Sequence, residues 1–209
     1  MNKKFIRITA VILAFVIAFC GAPAFAGDSA TSGWDSAAAY PADVLGTELL
    51  VPVKYLIDKK IITGDTDGLF HPEKNISRAE FATMAAKATN NIAELENLAN
   101  EDIFADLSGY GWAKPYINAV VRAGLFKGRG SDKFAPGDNV TNAEVITVLI
   151  RMNKGAAESA ESMAPKWPEN YILYAEKYNL LGTVVIADWN APATKRNVAL
   201  LLYRVLPKN

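Results

Sequence analysis

Gly64-Asp65-Thr66-Asp67-Gly68-Leu69-Phe70-His71-Pro72, followed by Asn75-Ile76-Ser77-Arg78-Ala79-Glu80-Phe81, decides the fold, because the same passage returns 64 residues later. Gly64, Phe70, Pro72, Asn75, Ala79, Glu80 and Thr83 recur without a gap as Gly128, Phe134, Pro136, Asn139, Ala143, Glu144 and Thr147. Ile76, Ser77, Met84 and Lys87 meet the conservative partners Val140, Thr141, Val148 and Arg151. Upstream, Val53, Leu56, Ile57, Ile61 and Ile62 overlie Ile117, Val120, Val121, Leu125 and Phe126. A duplication of this length sets the architecture before any single element is assigned.

A third, drifted copy follows at an offset of 53, where Val145, Val148, Leu149 and Met152 map onto Val198, Leu201, Leu202 and Val205. Thr141 maps onto Thr194 and Arg151 onto Arg204, while Trp112, Ile117 and Leu125 find counterparts in Trp167, Ile172 and Leu180. The loop from Gly182 to Ala193 has lost the Phe-x-Pro signature, as a terminal repeat can.

Each copy reads as helix, glycine-rich loop, helix. Phe81, Met84, Ala85 and Ala88 fall at i, i+3, i+4 and i+7, the spacing of one buried helical stripe. Ser77-x-x-Glu80 and Thr141-x-x-Glu144 are capping boxes, in which the hydroxyl accepts from a first-turn N–H and the glutamate reaches back to the cap. Thr194-x-x-Asn197 keeps the cap without the acid. Gly124 and Gly128 suit the end of the first helix and the turn after it. Phe70 and Phe134 are placed to plug the space between the two helices of their repeat. A helical pair of this size cannot bury its stripe alone, and three copies can by packing together.

Around this core the chain divides into a leader and connectors. Residues 1–26 carry Lys3, Lys4 and Arg7, an apolar run from Ile8 to Phe19, and Ala24-Phe25-Ala26, the order of a secretory signal peptide. The apolar run is short for a membrane span. Cys20 offers a lipidation alternative, although Phe19 before it is large for that processing. Residues 27–40 read as a disordered leader, 41–90 as repeat one and 91–103 as a linker. In that linker Ile92, Leu95 and Leu98 predict one short helix. Residues 104–153 form repeat two, 154–165 a flexible or marginally helical linker, and 166–207 repeat three.

Composition narrows the function classes. Removal of residues 1–26 takes away Cys20, the one cysteine, so no disulfide or thiol chemistry remains. It also takes three of the 22 basic residues against 22 acidic, leaving a slightly acidic product with no reason to bind nucleic acid or an anionic membrane. No second apolar run is long enough to span a bilayer after cleavage. Catalysis has no constellation: His71 stands alone, no serine sits in a nucleophile setting, and no carboxylate pair is set apart from turns and caps. The Asp65/Asp67 pair is no calcium loop, since Ile76 stands where the bidentate glutamate belongs. Neither a cofactor nor a metal is expected.

The passage Gly64 to Pro72, then Ile76-Ser77-Arg78-Ala79-Glu80-Phe81, closely resembles the S-layer homology repeat, whose hallmark is a Thr-Arg-Ala-Glu tetrapeptide opening the second helix. Phe104-Ala105-Asp106-Leu107, followed by Trp112-Ala113, resembles the family's opening. The resemblance covers roughly residues 43–206, strongly in the first two repeats. It implies a mainly α fold, with three helix-loop-helix repeats packed as a pseudo-trimeric, three-pronged unit. It implies a non-catalytic module, secreted to the cell wall or surface. That module would bind a secondary cell-wall polysaccharide, often one bearing pyruvate ketals, in grooves between repeats.

By the same resemblance the tetrapeptide positions are glycan-binding candidates: Arg78 and Glu80, Asn142 and Glu144, and Lys195 in the third repeat. A guanidinium fork suits a carboxylate, and a helix N-terminus adds N–H donors. Only Arg78 keeps the fork, so one competent groove is expected there, with a weaker one at Lys195. Trp112 is the candidate sugar-facing aromatic. Bland roles stand beside these: capping for the glutamates, solvated helix start for Arg78, packing for Trp112. Loss of the arginine at Asn142 and Lys195 also leaves room for a structural surface protein, whose repeats assemble with other surface-layer proteins without binding glycan.

Overall fold

Three backbone hydrogen bonds form a closed triangle at the centre of the molecule. Ile76 N–H donates to Ala193 O at 3.1 Å, Ala193 N–H to Val140 O at 2.8 Å, and Val140 N–H to Ile76 O at 3.1 Å. These residues precede the second helix of each repeat, and the extended bridges Asn75–Thr194, Ser77–Asn139 and Thr141–Pro192 flank them. The three loops thus meet around a pseudo-threefold axis. The computed structural model describes residues 40–90 and 95–208, so the leader assignments over residues 1–39 lie outside the described residues.

The described residues hold α1 (Leu50–Asp58), α2 (Arg78–Ala88), α3 (Leu95–Ala99), α4 (Lys114–Arg122), α5 (Asn142–Arg151), α6 (Lys154–Glu161), α7 (Glu169–Lys177) and α8 (Lys195–Val205). The fold is mainly α, as the repeat pattern predicts. The helices pair differently from the reading that put each loop phenylalanine between the helices of one repeat. The second helix of one repeat packs on the first helix of the next: α2 on α4, α5 on α7, and α8 back on α1. Periodicity shows which face of a helix is apolar, not which neighbour covers it. The last pairing closes the ring, with Tyr55 against Tyr203 at 5.3 Å between ring centroids.

The connectors thicken two of these prongs. The predicted short helix is α3, packed on α4. The linker after α5 is more ordered than its composition indicates: Asn153 caps α6 through Ala156 N–H, and Ala160 is fully buried. Two buried asparagines hold these inserts. Asn118 donates to Leu98 O and Glu101 O, and Asn170 donates to Ala160 O.

Local chemistry explains the helix starts. Ser77 and Thr141 form complete capping boxes with Glu80 and Glu144, and Thr194 accepts from Asn197 N–H alone. Phe70 and Phe134 are buried beneath the loops, and each aromatic so placed contributes roughly 1.5–3 kcal/mol. The residues after these phenylalanines, His71 and Ala135, take positive φ angles of 56° and 58°, unusual for side-chain-bearing residues. Asp43 and Asp106 hold these bends by accepting both flanking N–H groups, at 2.8–3.2 Å.

Candidate functional site

Symmetry places the tetrapeptide positions at the seams between repeats, and the first two N–H groups of each second helix are already engaged there. Arg78 and Ala79 N–H donate to Asp138 O and Pro136 O, Asn142 and Ala143 N–H to Ala191 O and Trp189 O, and Lys195 and Arg196 N–H to Lys74 O and Pro72 O. Neighbouring loops, rather than a ligand, satisfy these helix starts. The expectation that their N–H groups add to an anion site is therefore replaced: they fasten the ring.

The Arg78 seam, between repeats one and two, is filled by its own side chains. Arg78 is 2% exposed, and each of its donor nitrogens has a different acceptor. Nε donates to Phe134 O at 2.9 Å, Nη1 to Glu144 Oε1 at 2.8 Å and Nη2 to Lys127 O at 3.1 Å. Its guanidinium carbon stands 4.7 Å from the centroid of the Phe134 ring. Burial lowers the Arg78 pKa and Glu144 opposes that shift, so the charge is held by its partner. Arg129 adds a second cation, contacting Glu144 at 3.0 Å and Asp138 at 2.7 Å. Glu144 thus caps α5 and bridges two arginines at once.

The Asn142 seam, between repeats two and three, is also closed onto itself. Asn142 donates its amide to Asp188 O and Ala191 O at 3.0 and 3.2 Å, and the residue is buried. Trp167, the counterpart of Trp112, donates to Thr147 Oγ1 at 3.0 Å.

The Lys195 seam, between repeats three and one, is open: a groove of about 1290 Å³ runs along it. Glu80, Thr83, Met84 and Lys87, at i, i+3, i+4 and i+7 of α2, form one wall. The loop from Ile62 to Lys74 forms the other, with Lys195 and Trp112 at its edges. Lys195 Nζ lies 2.8 Å from Asp65 and 5.5 Å from the Phe70 ring centroid. Lys74 approaches the same carboxylate at 3.5 Å. Burial raises the Asp65 pKa, but the hydrogen bond and charge of Lys195, with Lys74, outweigh it and leave a net lowering. Among the described residues Glu80 accepts only from its own Ser77, through N–H and Oγ at 2.7 and 2.8 Å.

Of the six candidates, then, Glu80, Trp112 and Lys195 share one groove, Arg78 and Glu144 are bonded to each other at another seam, and Asn142 is at the third. Trp112 accompanies Lys195, not Arg78, and is 54% exposed. The sequence reading missed Asp43 and the pairing of Asp65 with Lys195. Pro41-Ala42-Asp43-Val44 is a faint copy of Phe104-Ala105-Asp106-Leu107, and that alignment could have found Asp43. Among the described residues no cluster of three metal-ligating side chains forms, and no helix is long and apolar enough to cross a membrane.

A ring of helix-loop-helix repeats with one open seam is the class of module that this fold and site define. Residues 52–82 and 103–146 match the S-layer homology domain, and the chain carries that domain. Repeat three falls outside the two matched segments and is assigned by the closed hydrogen-bond triangle. The chain is 30% identical over 126 residues to a cellulosome-anchoring protein of Acetivibrio thermocellus, covering 59% of this chain and 28% of that protein. It is 30% identical over 166 residues to a surface-layer 125 kDa protein of Lysinibacillus sphaericus, covering 74% and 14%. A middle cell wall protein of Brevibacillus brevis is 27% identical over 198 residues, covering 93% and 17%. The chain therefore spans less than a third of the length of each of these relatives.

Proposed function

We propose that this chain is a non-catalytic module of the cell surface that holds a secondary cell-wall polysaccharide, pyruvylated or otherwise acidic, in the groove between repeats three and one. Three facts support a role in surface anchoring: the S-layer homology domain, relatives named for anchoring and surface layers, and a signal-like N-terminal sequence. The observation that carries the glycan reading is the open groove itself. It combines an exposed tryptophan, which stacks on sugar rings, with acceptors and donors for hydroxyl groups at Glu80 and Lys195. In this reading Arg78 joins repeats one and two rather than gripping the polymer.

Purified protein is incubated with isolated wall sacculi, intact or stripped of their secondary polymer. Retention on intact sacculi is expected to vanish on stripping and to fall about tenfold in Trp112→Ala, with the thermal midpoint unchanged. Retention indifferent to both treatments sinks the glycan reading. It would favour the alternative, in which the repeats assemble with other surface-layer proteins.

A further inference from the structure

The charged groups of the open groove nearly all have partners within the protein. Asp43 accepts two backbone N–H groups, Asp65 binds Lys195 and Lys74, and Asp67 binds His71 at 2.6 Å. Glu73 accepts from Arg196 at 2.8 Å, and Glu80 is held by its own cap. Lys87 is the exception. Among the described residues it has no hydrogen bond and no ion pair, and its ammonium lies only over the Tyr116 ring, 5.6 Å from the centroid. Burial depresses its pKa, with no carboxylate to restore it.

The equivalent cations show that this state is particular to repeat one. Arg151 donates to Leu125 O and to Tyr171 Oη, and Arg204 donates to Asn179 O. Lys87 keeps the charge at that position without the internal acceptors, and it faces the groove. Seven residues of α2 separate it from Glu80, about 10 Å along the helix axis. The groove is therefore polarised, with its carboxylates gathered at the loop end of α2 and a lone cation at the other end.

We propose that Lys87 is the anion subsite of this groove, and that it selects an anionic sugar by pairing with its carboxylate or phosphate while the sugar's hydroxyls face Glu80. This rests on the groove assignment above, but moves the acid-reading charge away from the tetrapeptide position. There Lys195 is already neutralised by Asp65. An ammonium is a point charge, so charge and not planar geometry is what Lys87 reads.

The test uses purified protein with ¹⁵N-labelled lysine, titrated with glucose, glucuronate or glucose 6-phosphate and followed at the lysine Nζ resonances. Both anionic sugars are expected to bind about tenfold more tightly than glucose and to raise the Lys87 Nζ pKa. A preference for glucuronate over glucose 6-phosphate, or the reverse, identifies which anion the groove fits. Lys87→Gln should reduce the anionic preference to about twofold or less, and Lys154→Gln, at an exposed site, should keep it. Lys87→Met should lose the preference with a thermal midpoint no lower than wild type, since an unpaired half-buried charge is removed. A preference that survives Lys87→Gln overturns the proposal, as does an anion that shifts Lys195 and leaves Lys87 unmoved. So does wild-type protein that binds none of the three sugars. Retention on sacculi, lost on stripping whatever these titrations give, would keep the groove reading separate from this one.

Discussion

The Arg78 seam and the Lys195 seam are built from equivalent positions and end in opposite states. Each has a cation one residue past the helix cap, a loop residue after the conserved glycine, and a capping glutamate: Arg78, Arg129 and Glu144 in one, Lys195, Asp65 and Glu80 in the other. In the first, both cations converge on Glu144 and the seam fills. In the second, the loop residue is an acid, so Lys195 is drawn to Asp65 and Glu80 is left to its cap. A reversal of sign, Arg129 against Asp65, and the change from Arg78 to Lys195 thus accompany the difference between a structural clasp and an open groove. The hallmark arginine alone therefore does not tell an open seam from a filled one.

The largest effect should come from undoing the clasp. Arg78→Ala leaves the buried Phe134 carbonyl, the half-buried Lys127 carbonyl and part of Glu144 without their donor, and should cost about 3 kcal/mol in denaturant unfolding. Arg78→Lys should recover little of it, because one ammonium cannot serve three acceptors spread around a planar fork. A loss below about 1 kcal/mol would mean that the network is a surface pair of the ordinary kind.

Rebuilding the clasp in the open seam is the next step down. Asp65→Arg places a second cation opposite Glu80 and beside Lys195, so the introduced guanidinium should swing to Glu80 and fill the groove. Sacculus retention is then expected to fall about tenfold with the fold intact by circular dichroism. Unchanged retention would show that the groove's openness does not depend on the sign of that residue.

The smallest effect concerns pH. Asp65 has a folded pKa below its unfolded value of roughly 3.9, so its pair with Lys195 stabilises the fold above that pH. The contribution is lost as pH falls through the lower, folded value. Asp65→Asn should therefore flatten the acid side of the stability–pH curve and leave neutral-pH unfolding only slightly weakened.

Much of this was legible in the sequence. The ungapped duplication, the capping boxes, the buried loop phenylalanines and the third repeat are local patterns, written in residues a few positions apart. The helix pairing was not, because α2 could equally have covered α1 or α4 from its stripe alone. Lys87 and Arg151 look interchangeable on the page. They part only in space, where Tyr171 Oη and Leu125 O reach Arg151 while no acceptor among the described residues bonds Lys87. Likewise Arg78 carries the family's signature in sequence, and only three-dimensional proximity shows Phe134 O, Lys127 O and Glu144 occupying its donors.

The seam between α8 and α1 fixes when this site can come into being. Lys195 and Asp65 are 130 residues apart, and the triangle joins Ile76 to Ala193 across nearly the whole ring. A ribosome delivers Asp65 and Lys87 early and Lys195 late, so the groove lacks its last lining residue on a partly delivered chain. Contacts this distant in sequence are of the kind that slow folding. Competence to bind would then arrive at once, with the final helix, and a chain truncated before α8 should keep its prongs while losing its grip.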